Sequence, residues 1–378
     1  MNSLPDLRSL SPASARICLA VERFCLRRLA LPHGMRLLMA LSGGADSTAL
    51  ACILRVLSPR LELELFALTV DHGLRPEADA DARCAQEFCA RLGIPCACRS
   101  ADVLGLAAAN DWGLEEAGRH ARYALLEEER RAQKANFVVL GHHAGDLSED
   151  VLLRLTRGTG WPALGGMAAR DDARRLLRPL LFTKPQDLRD LLAECGVSWR
   201  EDASNASQDF MRNRLRHTVL PLLRGENPAL DRGMAALWQL AQWDADYWET
   251  LLAEALAAHP WHEENQDGLP ALFLPRELLA GLHPAARLRL YLKAVRLLAR
   301  QDTGQAGERP KGGCQARAHT LLELDTALRE GRGNTRFQLP GGIEARLKSG
   351  AMRFVRTMSL EKRAVTAARG QTSGRQTP

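Results

Sequence analysis

Residues 38–50, LMALSGGADSTAL, limit what this chain can fold into more than any other stretch. An apolar run stops at Ser42-Gly43-Gly44, and a helix-like apolar run opens at Asp46. A strand that ends in two glycines and reopens as a helix turns several backbone N–H groups toward one point. That point is the helix end whose partial positive charge favours an anion. Ser42 and Ser47 add hydroxyl donors, Ala45 lies between them, and the Asp46 carboxylate suits a Mg²⁺ that bridges phosphates. The string matches neither the Walker A spacing, whose lysine is missing, nor G-x-G-x-x-G. By itself it also reads as a plain glycine turn with Asp46 as a helix N-cap.

Around this loop, strand and helix patterns alternate. A helix is expected over 14–30, with Ile17, Val21 and Phe24 on one face. Strands follow at 36–41, 63–70, 95–100 and 137–141, separated by helices at 46–57, 77–92 and 114–133. Such alternation implies an α/β fold, a parallel sheet with helices on both faces. Ligands of such sheets sit at the carboxyl ends of the strands, where SGGADS, Asp71-His72-Gly73 and GHHAGD all fall. From about 221 the pattern turns mostly helical, with long helices expected at 229–258 and 284–300 and another at 318–330. Trp238, Trp243 and Trp248 are expected in helix core, and short strands near 337–339, 344–347 and 352–355. The expected organisation is thus 1–223, 224–356 and a basic, disordered tail at 357–378, with a mobile Gly-rich loop at 301–317.

The 378 residues carry a formal net charge of +6, which suits a nucleic acid or an acidic small substrate without choosing between them. Nine scattered cysteines include no Cys-x-x-Cys, so neither a zinc ribbon nor a paired redox site is indicated. Charges interrupt every apolar run well short of the roughly 20 residues of a membrane span. A soluble, cytoplasmic protein is expected, with no membrane partner.

The SGGADS string resembles the pyrophosphate loop (PP-loop) of ATP pyrophosphatases, a group of adenine nucleotide α-hydrolase-like folds. NAD and GMP synthetases, asparagine synthetases, tRNA thiolases and tRNA(Ile)-lysidine synthetases share it. Further segments narrow the resemblance to the last of these: DHGLR at 71–75, EEAGRHARYALL at 115–126 and LLRLTRGTGWPALGGM at 152–167. The segment at 199–221, WREDASNASQDFMRNRLRHTVLP, resembles that family's D-x-S-N…R-N-R-x-R run, with Asp202 and Asn205 able to shape a turn. Helical phase there puts Met211, Leu215, Val219 and Leu222 on one apolar stripe, with Arg212 and Arg216 along one edge and Arg214 on the other. The likeness covers 35–223, and more loosely 318–356.

The resemblance implies ATP-dependent adenylation of the C2 oxygen of the wobble cytidine in the CAU anticodon of isoleucine tRNA. Displacement of AMP by the ε-amine of free L-lysine then gives lysidine. It assigns Ser42, Gly43, Gly44, Ala45, Asp46 and Ser47 to pyrophosphate and Mg²⁺, and Val70, Asp71, His72 and His143 to the rest of ATP. Arg122, Arg212, Asn213, Arg214 and Arg216 go to tRNA and the reacting phosphate. Arg122 has a plainer reading among helix-surface ion pairs worth only about 0.2–0.5 kcal/mol. The second domain would help hold the tRNA, and a homodimer is compatible with the family.

GHHAGDLSED departs from the family's HHxDDQxET. Gly145 replaces the first Asp, Leu147 the Gln and Asp150 the Thr, whereas Asp146 and Glu149 stay in register. Spaced i,i+3, those two share a helix face and suit the ammonium of substrate lysine, or a capping pair with Asp146 as N-cap and Glu149 at N3. Which group takes the lysine proton, His143 included, is left open by the sequence. Two rivals accompany this reading: a tRNA thiolase, and a non-catalytic tRNA-binding module made thinkable by Gly145 and Leu147.

Overall fold

The computed structural model describes residues 6–71, 78–200, 211–266, 269–300 and 318–357. The expectations for His72, for the turn at Asp202 and Asn205, for the loop at 301–317 and for the tail after 357 lie outside the described residues. Among the described residues, no helix is long and apolar enough to cross a membrane.

The chain divides into two compact units. The first takes the residues up to Thr156 together with Gly165–Gln239; the second takes Arg157–Leu164 and the residues from Leu240 onward. In the first, α1 (Pro12–Arg27) precedes β1 (Arg36–Ala40), α2 (Ala45–Leu61), β2 (Glu64–Asp71), α3 (Ala78–Leu92) and β3 (Cys96–Ser100). Next come α4 (Val103–Asn110), α5 (Leu114–Ala132), β4 (Phe137–Val139), α6 (Ala144–Thr156), β5 (Arg170–Asp171), β6 (Leu176–Leu177) and α7 (Pro185–Glu194). The six strands run in the order β3-β2-β1-β4-β6-β5, all parallel except the edge pair β5–β6. Strand order reverses between β1 and β4, a switch point where the loops leaving two neighbouring strands part and open a crevice.

The helix after the glycine loop is anchored by composition. Every residue of α2 from Ala49 to Leu54 is fully buried, as befits a helix apolar all round. Leu50, Ile53 and Leu54 lie in one core with α1, α7 and one face of the sheet, each contributing about 1.5–3 kcal/mol by leaving water. On the opposite face Leu38, Leu68 and Val138 meet Leu126 of α5. The loop at the end of β1 therefore stands on a rigid support.

The arginine-rich segment departs from its expected phase. It comprises α8 (Met211–Arg214), a π-helical turn at Leu215–Val219 and α9 (Leu220–Glu226). The wider π turn shifts the register, so Leu215 and Leu220 are buried with Leu152 while Leu222 is 68% exposed. The expected stripe through Leu222 is thus corrected to one through Leu220. A further helix, α10 (Leu230–Ala258), begins in the first unit, where Trp238 is buried and donates from Nε1 to the Met167 carbonyl at 2.8 Å. That anchor carries the first unit past the change of pattern near 224.

The second unit is more sheet-rich than its sequence suggests. Its β7 (His262–Gln266), β8 (Leu269–Leu274), β9 (Thr335–Leu339), β10 (Ile343–Lys348) and β11 (Ala351–Arg356) form an antiparallel sheet ordered β7-β8-β11-β10-β9. The part of α10 from Leu240 onward packs with it, together with α11 (Arg276–Gly281), α12 (Pro284–Arg300) and α13 (Ala318–Arg329). Leu272, Leu290, Leu324 and Phe354 lie in its core. Arg287 on α12 is locked to Asp325 on α13 at 2.6 and 3.1 Å. Trp248 lies under the Arg289 guanidinium at 4.1 Å, but Trp243 is 57% exposed, against the expectation of a core residue.

Candidate active site

The loop leaving β1 has the form the sequence calls for. Gly43 takes φ +78°, a left-handed conformation open to glycine at little cost, and Gly44 caps α2 without any side chain. Asp46 is the second residue of α2, not its N-cap, so its carboxylate is not spent on the helix end. Ser47 Oγ lies 3.1 Å from Ser42 Oγ, receives the Ser42 N–H at 3.1 Å and donates to the Gly44 carbonyl at 3.1 Å. The two serines thus brace the loop from within. Behind it Gly141, just past β4, approaches so closely that a Cβ there would lie 3.0 Å from backbone atoms of Asp46 and Ser47.

Across the switch point, α6 opens with a capping box shifted one turn from the expected pair. His143 is the N-cap: its Nδ1 accepts from the N–H groups of Gly145 (3.0 Å) and Asp146 (3.3 Å). Asp146 answers from N3, its Oδ2 accepting from the His143 N–H at 3.0 Å. The expected assignment, Asp146 as N-cap and Glu149 at N3, is therefore corrected. The shift depends on Gly145, because a Cβ there would stand 2.9 Å from His143 Cε1.

With Nδ1 accepting, the neutral imidazole of His143 carries its proton on Nε2, which lies 3.5 Å from Asp46 Oδ2. Burial works to lower its pKa, but the Asp46 hydrogen bond and the charges of Asp146 and Asp46 outweigh it, and the net shift is upward. Asp146 is also pulled two ways. Burial would raise its pKa, yet His143, Arg212 and His142 hold it below the usual carboxylate range.

Arg212 and Arg216 each bind Asp146 and Glu149 of α6. Arg212 reaches Asp146 Oδ1 at 2.9 Å and Glu149 Oε2 at 2.7 Å; Arg216 reaches Asp146 Oδ1 at 3.2 Å and Glu149 Oε2 at 3.0 Å. The structure thus joins Asp46, His143, Asp146, Glu149, Arg212 and Arg216 in one chain of contacts. Arg214 and Asn213 lie on the same short helix, with Arg214 exposed. Val70 and Asp71 end β2, one strand over from β1.

Arg122 on α5 makes no ion pair or hydrogen bond among the described residues; its guanidinium stands 5.8 Å from the Tyr123 ring centre. Burial, reinforced by the charges of Arg119 and Arg212 against the pull of Tyr123, lowers its pKa. A shielded cation with no ion-pair partner among the described residues is a natural partner for an anionic substrate.

Two residues escaped the sequence reading. Arg178, just after β6, is buried and donates from Nε to His142 Nδ1 at 3.1 Å and from Nη1 to the Ala168 carbonyl at 2.5 Å. Shielding from water pushes His142 down to about 3, with Arg178, Arg212 and Arg122 acting in the same direction and Asp146 against it. His142 is therefore a neutral imidazole whose Nε2–H is a donor with no partner among the described residues. A charged residue directly after a run of leucines is the only signal that pointed to Arg178.

Asp46 fits a hard cation. It is a carboxylate beside a phosphate-type loop, its side chain 40% exposed, and Mg²⁺ is commonly held by one or two carboxylates with phosphates and water.

A PP-loop domain family matches residues 20–223. The tRNA(Ile)-lysidine synthase of Nitratidesulfovibrio vulgaris is 50% identical over 327 residues, 84% of this chain and 90% of that protein. The synthase of the same name from Thermobifida fusca is 34% identical over 88% of this chain and 95% of its own length. That from Solibacter usitatus is 35% identical over 82% of this chain, which spans only 64% of that longer relative. Among solved structures, the U34-tRNA thiolase NcsA of Methanococcus maripaludis with its 4Fe-4S cluster aligns with a TM-score of 0.52. At 17% identity, over 61% of this chain and 80% of that one, the likeness is one of fold.

Proposed function

The chain belongs to the tRNA(Ile)-lysidine synthase family of PP-loop proteins, and from that premise we propose that it makes lysidine. It adenylates the C2 oxygen of the wobble cytidine in an isoleucine tRNA bearing CAU, then joins the ε-amine of free lysine to C2, releasing AMP and pyrophosphate. The observation that carries this reading is the contact chain from Asp46 through His143 to Asp146 and Glu149. It ties a phosphate-type loop to an acidic pair suited to an ammonium.

A cytidine carbonyl oxygen is a poor leaving group, and adenylation converts it to a phosphate ester that departs readily. In this account the N–H groups of the Ser42–Ser47 loop take the pyrophosphate, and Asp46 would hold Mg²⁺, which neutralises phosphate charge when bound. Val70 and Asp71 lie toward the nucleoside. Arg122 and the Nε2–H of His142 meet the α-phosphoryl group, and Arg212, Asn213, Arg214 and Arg216 approach the tRNA. Asp146 and Glu149 receive the lysine ammonium.

That ammonium must lose a proton, at a cost of about 4.6 kcal/mol at pH 7 for a pKa near 10.4. His143 is not placed to take it, since its neutral ring accepts at Nδ1 from the backbone and donates from Nε2. Desolvation of the amine and the departing phosphate oxygens are left to supply the driving force and the acceptor.

The Ser42–Ser47 loop carries no cysteine. Burial pushes Cys18 and Cys25 up to about 12, leaving them as inert thiols. Cys96, whose Sγ donates to the Ala97 carbonyl at 3.6 Å, opens β3, at the end of the sheet away from the loop. Mass spectrometry of nuclease-digested isoleucine tRNA after incubation with ATP, Mg²⁺ and lysine tests the proposal. A wobble cytidine heavier by lysine less water supports it; a thiolated or unmodified nucleoside refutes it.

A further inference from the structure

The two carboxylates that the proposed function gives to lysine are already occupied. Glu149 is 2% exposed, and its Oε2 accepts from both Arg212 (2.7 Å) and Arg216 (3.0 Å). Its Oε1 accepts from Arg216 Nε at 2.5 Å. Asp146 Oδ1 accepts from both arginines, at 2.9 and 3.2 Å, and its Oδ2 is taken by the His143 N–H. Two carboxylates and two guanidiniums make a locally neutral cluster, and every carboxylate oxygen already has a donor.

A third cation cannot simply be added. An ammonium entering this cluster would leave one positive charge in excess in a poorly hydrated place, which proteins avoid. Exchange of an ammonium for one guanidinium keeps the charge balanced and refills the same oxygens. The displaced guanidinium then needs an anion, and the reaction brings two sources of phosphate oxygens, ATP and the tRNA backbone. Both arginine side chains are one-third exposed, so an anion arriving from solvent can reach them without unfolding the segment.

We propose that Arg212 and Arg216 keep the lysine subsite closed by occupying it as surrogate cations, and that a phosphate anion opens it by drawing one guanidinium away. This rests on Asp146 and Glu149 being the lysine ligands. Lysine binding is then linked to phosphate binding, and free lysine does not fill the site before the substrates it must react with are in place. Linkage of this kind spans roughly 5–150-fold in affinity and is reciprocal.

Equilibrium dialysis of radiolabelled lysine tests it on the full chain alone, with a non-hydrolysable ATP analogue, with isoleucine tRNA, and with both. Lysine affinity should rise by about 5–150-fold in the arm that supplies the drawing anion, which tells nucleotide from tRNA phosphate. The same factor should appear as tighter analogue or tRNA binding when lysine is present, a check that needs no variant. Arg216→Gln should bind lysine tightly without any anion and lose most of the enhancement. Lysine binding of equal strength in all four arms overturns the exchange. Glu149→Gln should abolish lysine binding in every arm. If it binds lysine undiminished, the assignment of the carboxylates falls, and the exchange with it. All arms read binding alone, so absence of ligase turnover would not by itself count against the exchange.

Discussion

Replacing Gly141 with alanine should damage the phosphate loop without removing any side chain assigned to the chemistry. The added Cβ would lie 3.0 Å from the backbone C and O of Asp46 and the N of Ser47, whereas ordinary contact begins near 3.4 Å. The neighbours are main-chain atoms at the start of a helix whose residues from Ser47 to Leu54 are all buried, so no side chain can swing aside. Either β4 or the start of α2 must shift by about 0.4 Å or more. Overpacking of this kind costs about 1–3 kcal/mol, or roughly 2–12 °C in Tm for a unit of this size. The loop's donors move with α2, so ATP-dependent AMP release should fall at least tenfold, toward the roughly 100-fold that a 1 Å misplacement costs. Differential scanning calorimetry and a steady-state AMP assay on the purified variant read the two effects. An unchanged Tm with unchanged AMP release would show that the loop is not braced from behind by β4.

Gly145→Ala also crowds a neighbour, but that neighbour is the His143 ring, 2.9 Å away and free to turn. The lost cap, about 0.5–2 kcal/mol, is largely offset by the roughly 0.8–1 kcal/mol that alanine gains over glycine in a helix. Stability should therefore change little, while the His143 pKa followed by NMR should fall back toward the ordinary histidine value. A wild-type pKa in this variant would refute the cap geometry. Stability of the first unit should peak near neutral pH. His142, lowered to about 3 in the fold, adds stability above pH 6.5 that is lost as pH falls, and Asp146, held low, loses its share below about pH 4. His143, raised in the fold, adds stability below pH 6.5 that is lost as pH rises through its folded value. Thermal melts across pH should show both limbs, and His142→Gln should flatten the acid one. In the second unit, Asp325→Ala should cost about 3–5 kcal/mol by leaving Arg287 buried without its partner. A loss below about 1 kcal/mol in chemical denaturation would contradict that pairing.

Much of this arrangement was legible in the chain. Alternating strand and helix patterns of ordinary length place SGGADS and GHHAGD at strand ends, and any parallel sheet gathers such ends on one side. Periodicity failed where local geometry broke it. The π turn at Leu215–Val219 shifts the phase, so extrapolating an α-helix put Leu222 on the apolar stripe, whereas Leu220 is the buried residue. β6 is two residues long and carries no readable alternation, which hid the position of Arg178. β7, HEENQ, has no apolar residue to mark a strand, because it is an edge strand. The capping box was misplaced because a histidine N-cap is uncommon beside Ser, Thr, Asp and Asn, and only coordinates reveal that Gly145 makes room for it.

The central claim is tested most directly by AMP release from α-labelled ATP with Mg²⁺, lysine and an isoleucine tRNA bearing CAU, omitting tRNA and lysine in turn. The account predicts sustained AMP formation only with both present, and its loss in Asp46→Ala. Sustained AMP formation without lysine, or tight tRNA binding with no AMP formed at all, would contradict it.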